Sequence, residues 1–271
     1  MIKRIIKLLV AIVFWVLETL WTLGRTKNMP GVCVVLMYHD VMEAQLHRFI
    51  RQMEKAAKLT IPVATDKIRD FTRGKRYCAV TFDDGFSSTI DIVRPVLTGM
   101  SIPATFFIPT AYLGKEASWI TDTNRRCNVG LVVTADELKR LGESRYVSIG
   151  SHGVNHIRLT KVEDDDAWKE LAKSKKILES ITGRKVEAHS FPFGEYNTTH
   201  VAMARNACYD RVFTVDPTVA SGAGDKFVIG RVEVDPADWQ LEFTLKLMGA
   251  YRWQPYASRL KKLLRRYVRN N

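Results

Sequence analysis

Cysteine is sparse in this 271-residue chain: Cys33, Cys78, Cys127 and Cys208 are widely scattered and form no C-x-x-C pair. That excludes zinc knuckles and dithiol redox motifs. Cys33 and Cys78 fall inside strand-like apolar runs and read as small buried thiols. The chain also lacks internal repeats, low-complexity tracts and long linkers, which leaves a single large domain across about residues 30–250. Net charge is nearly missing from its body as well. The formal net charge is +12, but residues 1–27 carry +4 and residues 252–271 carry +7 with no acid. No interleaved basic and aromatic residues and no nucleic-acid motif accompany that charge, which argues against a groove tracking phosphates. A near-neutral body with two basic ends instead suits an anionic membrane surface as partner. Hydrophobic residues make up 46% of the sequence, ample for a buried core.

The apolar run IIKLLVAIVFWVLETLWTL at residues 5–23 approaches the length of a bilayer span, interrupted by Lys7 and Glu18. No small-residue cleavage site follows it, so residues 1–29 are expected to form an uncleaved anchor or an interfacial helix, with a core helix as the alternative. Lys3, Arg4 and Lys7 precede the run and Arg25 and Lys27 follow it, a bias that mildly favours an extracytoplasmic domain if the helix spans. Residues 251–271 read as a basic amphipathic tail: Leu260, Leu263, Leu264, Tyr267 and Val268 recur at helical spacing among Arg259, Lys261, Lys262, Arg265, Arg266 and Arg269. Such a helix either lies on a membrane or docks on the domain.

Between these ends, short apolar runs alternate with helical patterns, the signature of βαβ units around a parallel sheet or barrel. Strands are predicted at 32–37, 77–82, 104–108, 146–149, 186–190, 211–214 and 227–232, and helices at 43–59, 88–97, 135–141, 164–181 and 198–207. The polar clusters sit where these strands end: His39 and Asp40 after the first, Asp83 and Asp84 after the second, His152 after the fourth, and 192–194 after the fifth. In a (β/α) barrel the C-terminal strand ends build the active site.

Two clusters have metal chemistry in reach. In VTFDDGF, Asp83 and Asp84 follow a strand, and Gly85 lets the backbone turn sharply beside them. Neighbouring strand-end residues point different ways, so one carboxylate is free to bind a metal while the other faces substrate. Asp-Asp-Gly is also a common plain turn. In IGSHGVNHIRLT, His152 and His156 are four apart, which puts both imidazoles on one face if the segment turns helically. Two histidines and one carboxylate leave coordination positions open for water and substrate.

VTFDDGF, IGSHGVNH, SFPFGEYN and DPADW, in this order, resemble the motifs of the polysaccharide deacetylases of carbohydrate esterase family 4, over roughly residues 31–240. The resemblance implies an α/β fold, a distorted (β/α) barrel of about seven strands with terminal membrane-associating helices. It implies a hydrolase that removes acetyl groups from an amino-sugar glycan, with Asp84, His152 and His156 holding one divalent ion, Zn²⁺ first and Co²⁺ or Ni²⁺ as alternatives, and Asp83 as general base. The common family pattern also has an Arg near the third motif and an acid His near the C-terminus. Here Ser190 stands at the Arg position and no His follows Trp239.

The first strand offers a replacement, because VVLMYHDV resembles the opening strand of the exopolysaccharide deacetylases of the poly-N-acetylglucosamine type, whose barrel is circularly permuted. By that resemblance His39 is the general acid, its tautomer set by Asp235 or Asp238; the plainer reading is a histidine capping a strand end. Pro192 and Phe193 would then form an oxyanion-binding turn through a backbone N–H. Tyr196, Trp239 and Phe193 would give a sugar platform, with Phe191 read as core. Asp238 equally suits a helix N-cap. The alternatives to a glycan deacetylase are a deacylase of a lipid-linked sugar and a non-catalytic carbohydrate-binding barrel.

Overall fold

The computed structural model describes residues 2–69, 71–120, 130–221, 227–257 and 260. After the helix α1 (Ile2–Thr22), the strands are β1 (Val32–Tyr38), β2 (Ile61–Pro62), β3 (Arg76–Phe82), β4 (Ala104–Ile108), β5 (Val147–Ser151), β6 (Ala188–Ser190), β7 (Arg211–Phe213), β8 (Ala220–Ser221), β9 (Val228–Ile229) and β10 (Val232–Glu233). Their order is β10-β1-β3-β4-β5-β6-β7-β9, parallel at every step, with β2 beside β3 and β8 antiparallel to β1. Eight strands thus curl into a nearly closed, distorted barrel. The parallel strands read as unbroken apolar runs because helices cover one face and the lumen takes the other.

The single strand expected over 227–232 is in fact two. β9 pairs with β7 (Val212 with Val228) and β10 pairs with β1 (Leu36 with Val232), although only Gly230 and Arg231 separate them. One straight strand cannot follow both sides of the seam, so the chain steps across it here. Gly230 makes the step possible: a Cβ at this position would lie 2.1 Å from Thr218 Oγ1 and 2.2 Å from the Asp216 carbonyl oxygen.

Strand alternation sorts the core into two layers. Leu36, Tyr38, Phe82 and Phe106 face the helices, with Tyr38 and Phe82 stacked at 5.3 Å and Phe82 and Phe106 at 4.9 Å. Cys33, Val35, Ala79, Phe107 and Phe213 form the second, smaller cluster inside the barrel, and Cys78 lies in the helix-facing layer; both cysteines are buried thiols as expected. The covering helices are α2 (Leu46–Leu59), α3 (Ser87–Gly99), α4 (Ala135–Gly142), α5 (Asp164–Thr182), α6 (Thr198–Asn206) and α7 (Gln240–Leu247). The expected helix at 43–59 opens with a separate 3-10 turn at Glu43–Gln45. α7 follows the DPADW loop, where Asp238 suited a helix N-cap, although its eight residues carry only a weak apolar face.

α1 is long and apolar enough to cross a membrane. It lies against α7, with Ala11 buried and Leu8 and Ile12 on the core. Most of the basic tail expected at 251–271 lies outside the described residues.

Candidate active site

β3 carries the alternation of Ala79 and Thr81 one step further and delivers Asp83 to the lumen side of the strand ends, where it is 3% exposed. The chain then reverses through two consecutive left-handed residues, Asp84 (φ 68°) and Gly85 (φ 63°). Position 85 must be glycine, since a Cβ there would meet Ile108 Cδ1 at 2.5 Å. Among the described residues, three of the five non-glycine positions with positive φ are Asp84, His156 (φ 51°) and Phe193 (φ 60°), so backbone strain is concentrated at this site.

His152 and His156 follow β5, but not as a helical turn. The segment between them is an extended loop, and the left-handed backbone of His156 rather than helical periodicity brings its ring within 4.8 Å of the His152 ring. A buried carboxylate on α5 shapes this loop. Glu170 accepts from the backbone N–H groups of Val154 and Asn155, both at 2.8 Å, and from the Asn155 side chain at 2.6 Å. Those backbone donors are therefore unavailable for helical hydrogen bonds, which is why H-x-x-x-H here is not helical.

The donor atoms of Asp84, His152 and His156 lie within 4.8 Å of one another. Asp84 Oδ1 is buried and makes no well-directed hydrogen bond, although His156 Nε2 is 3.2 Å away and His152 Nε2 is 3.7 Å away. His152 Nδ1 is 2.8 Å from the Ser190 carbonyl oxygen and so must donate to it, leaving the Nε2 lone pair facing Asp84. Burial lowers the His152 pKa to about 4, against the pull of Asp83, so the ring is neutral. Convergent, buried donors of this kind fit a divalent cation. Burial opposes ionisation of Asp84, but the neighbouring histidines overcome it and hold its carboxyl below the usual range.

Asp83 has opposite company. Arg231, wholly buried at the step between β9 and β10, grips it through two bonds of 2.7 Å, Nη1 to Oδ1 and Nη2 to Oδ2. All five guanidinium N–H donors are used: Nε on the Thr214 carbonyl (3.2 Å), Nη1 also on Thr81 Oγ1 (3.2 Å) and Nη2 also on Ser190 Oγ (2.7 Å). Burial by itself would raise the Asp83 carboxyl; Arg231, helped by His152, reverses this and holds it far below the usual carboxylate range. The Arg whose absence at Ser190 seemed a defect is thus matched by an arginine from another strand, and the small Ser190 side chain leaves room for it. Arg231 was missed in the sequence because it lies within an apolar run read as one strand. The Gly-Arg pair breaking that run was the signal available.

A cavity of about 900 Å³ opens over these groups, lined among others by His39, Asp40, Asp83, Asp84, Trp119, His152, His156, Arg158, Phe193, Glu233 and Asp235. His39, from the end of β1, faces the same space as Asp83 and Asp84, and its charge would act on both carboxylates. Phe193 meets His156 edge-on at 4.8 Å and carries the Arg158 guanidinium 4.0 Å above its ring. Trp119, unforeseen for want of any neighbouring motif, stacks on His156 at 4.1 Å.

Several residues expected at the site stand elsewhere. Trp239 does not line the cavity; its ring takes the Arg4 guanidinium at 4.6 Å. Tyr196 is stacked on the buried Phe191 at 5.0 Å, and Pro192 is buried in the turn that presents Phe193. Of the two acids expected to orient His39, Asp235 lines the cavity with it while its Oδ1 accepts from the Ala237 N–H (2.6 Å), and Asp238 is not among the lining residues, its Oδ2 accepting from the Asp235 N–H (3.1 Å) and Lys246 Nζ (2.7 Å). Asp238 closes its own loop turn in this way; the residue at the N-cap of α7 is Trp239.

The polysaccharide deacetylase family model matches residues 71–212, more than half of the chain, and leaves β1 with His39 outside the match. The YxkH protein of Bacillus subtilis (strain 168) is 23% identical over 218 residues, 76% of this chain and 73% of its own. Among solved structures, Streptococcus pyogenes deacetylase PplD in complex with acetate is similar at TM-score 0.66 and 21% identity, covering 81% of this chain and 99% of its own. IcaB from Ammonifex degensii is similar at TM-score 0.68 and 21% identity, covering 81% and 98%.

Proposed function

Because this chain belongs to the polysaccharide deacetylase family and is therefore a hydrolase of carbon–nitrogen bonds other than peptide bonds, we propose that it removes N-acetyl groups from an exopolysaccharide or related amino-sugar glycan, with a divalent metal as cofactor. The observation carrying this reading is the pairing of opposites in one cavity: three convergent buried groups, among them a carboxylate oxygen without a hydrogen bond, beside a carboxylate clamped at both oxygens by an arginine. An ion held by Asp84, His152 and His156, Zn²⁺ by the chemistry of the donor set and otherwise Co²⁺ or Ni²⁺, would supply electrophilic activation of the acetyl carbonyl and of water.

The protein's own residues account for the remaining roles. Asp83, kept ionised and immobile by Arg231, takes the proton of the attacking water. The backbone N–H of Phe193, in a turn held by the Phe191 carbonyl accepting from Gly194 (2.9 Å), donates to the developing oxyanion. His39, across the cavity, protonates the leaving sugar amine. Trp119 and Phe193 flank His156 and offer apolar faces to a pyranose ring.

The test is acetate release from an N-acetylglucosamine oligomer. We expect activity that is abolished by a chelator and restored by Zn²⁺, Co²⁺ or Ni²⁺. Metal-loaded protein inert on acetylated glycans and lipid-linked sugars alike would return the barrel to a carbohydrate-binding role. Chain shortening without acetate would indicate a glycosidase.

A further inference from the structure

α1 reverses the rule for a helix packed on a soluble domain, where charges face water and apolar residues face the core. Its inward stripe holds both of its paired charges. Arg4 donates from Nε to Glu242 at 2.7 Å and lies 3.5 Å from Asp238. Glu18 meets Arg252 at 2.6 Å. Outward stand large apolar side chains, with Leu9 56%, Val13 58%, Leu17 62%, Leu20 63% and Trp21 79% exposed. The unpaired cations Lys3 and Lys7 sit in its first two turns, and Arg25 and Lys27 follow it.

Its direction is set by the same ion pairs. Arg4 touches the loop that leads into α7, and Glu18 pairs beyond the end of α7, so α1 runs along α7 from the active-site rim to the barrel base. At the rim, Lys3 and Lys7 border a recess shared with Val215 and Glu233, and both of these also line the active-site cavity. Ties to the domain at both ends favour a helix lying along it over one that leaves it to cross a bilayer.

We propose that α1 lies flat on an anionic bilayer with its apolar face in the lipid, and that this holds the mouth of the cavity at headgroup level. The substrate is then an amino-sugar glycan carried at the membrane surface, a lipid-linked one included; this part rests on the deacetylase reading. The outward apolar stripe supplies the insertion energy and the lysines beside it supply attraction to anionic headgroups.

The experiment uses the full chain with vesicles of phosphatidylcholine alone or with a quarter phosphatidylglycerol. The wild type should float with the anionic vesicles and less with neutral ones. The double variant Leu9→Glu, Val13→Glu changes only exposed side chains, so its melting temperature and its acetate release from a soluble N-acetylglucosamine oligomer should stay within about twofold, while vesicle binding falls at least tenfold. On a lipid-anchored acetylated oligosaccharide in the same vesicles, only the wild type should gain rate. Membranes from expressing cells should release the chain in alkaline carbonate. Undiminished flotation of the variant, failure of the wild type to float, or retention in carbonate would each overturn the proposal. Vesicle binding without acetate release from any substrate would leave the membrane helix standing and remove the deacetylase reading instead.

Discussion

Asp83 and Asp84 are neighbours in sequence, equally buried and equally acidic in isolation, yet the fold treats them in opposite ways. Asp83 is bound at both oxygens by Arg231 and approached by Ser190. Asp84 Oδ1 makes no well-directed hydrogen bond and faces the Nε2 atoms of His152 and His156 at 3.7 and 3.2 Å. The contrast shows how one dipeptide supplies two chemical roles: a complete set of hydrogen bonds fixes a charge where it is, while an incomplete set leaves it available to an incoming cation. A left-handed residue between a strand end and a glycine separates the two environments, by turning the second carboxylate away from the first.

The contrast can be broken most severely at its two centres. Asp84→Asn is expected to abolish metal retention and turnover together, whereas Asp83→Asn should lower turnover by about 10²–10⁴ with the metal still bound; metal analysis beside acetate release separates them. Equal metal loss in both variants would refute the division of roles. Next comes the clamp. Arg231→Met leaves a buried carboxylate without its partner, which costs about 3–5 kcal/mol in a denaturant melt. Because Arg231 depresses the Asp83 pKa and burial raises it, removing Arg231 moves that pKa upward, so the acid limb of the rate profile should shift to higher pH. An unshifted limb would mean that Asp83 is not the titrating base.

Smaller effects sharpen the metal side. Glu170→Ala strips the acceptor from two backbone N–H groups in the loop between the histidines and should weaken Zn²⁺ affinity by about 10–100-fold, with Glu170→Gln, which keeps one acceptor oxygen, recovering part of it. Titration with a competing chelator measures this, and identical affinities for the two variants would assign Glu170 to folding only. His39→Ala should slow turnover with metal content intact, and unchanged turnover would make His39 a strand-end cap. The least change is expected from Trp239→Ala, whose ring lies under Arg4 outside the cavity: KM on a soluble oligomer should move less than that of Trp119→Ala, whose ring lines it.

Local pattern was enough for a good part of this protein. Short runs rich in aromatic and β-branched residues, ATFFI at 104–108 and VFT at 212–214, marked strands, because a strand buried on both faces carries few polar positions. The strand-end positions of Asp83, Asp84 and His152 were legible for the same reason, since the polar residues begin where burial of the strand ends. Other features had no local signature. The two-residue strands β9 and β10 exist only because β7 and β1 stand on either side of a seam, and Arg231 acts on Asp83 across 148 positions of chain. The loop at 153–155 escapes the helix implied by its histidine spacing because Glu170, on a distant helix, takes its backbone donors. The loop at 235–239 turns Asp238 and Trp239 to partners outside the cavity while leaving Asp235 on its wall.

The sequence by itself determined the fold class, the strand ends and the residue types gathered there, since these follow from burial and backbone periodicity within a few residues. Only the tertiary structure decided which of two adjacent carboxylates is locked and which is open, where the missing arginine comes from, and which face of α1 turns outward. Those outcomes depend on hydrogen-bond partners and packing surfaces that are remote in sequence and meet only when the barrel closes.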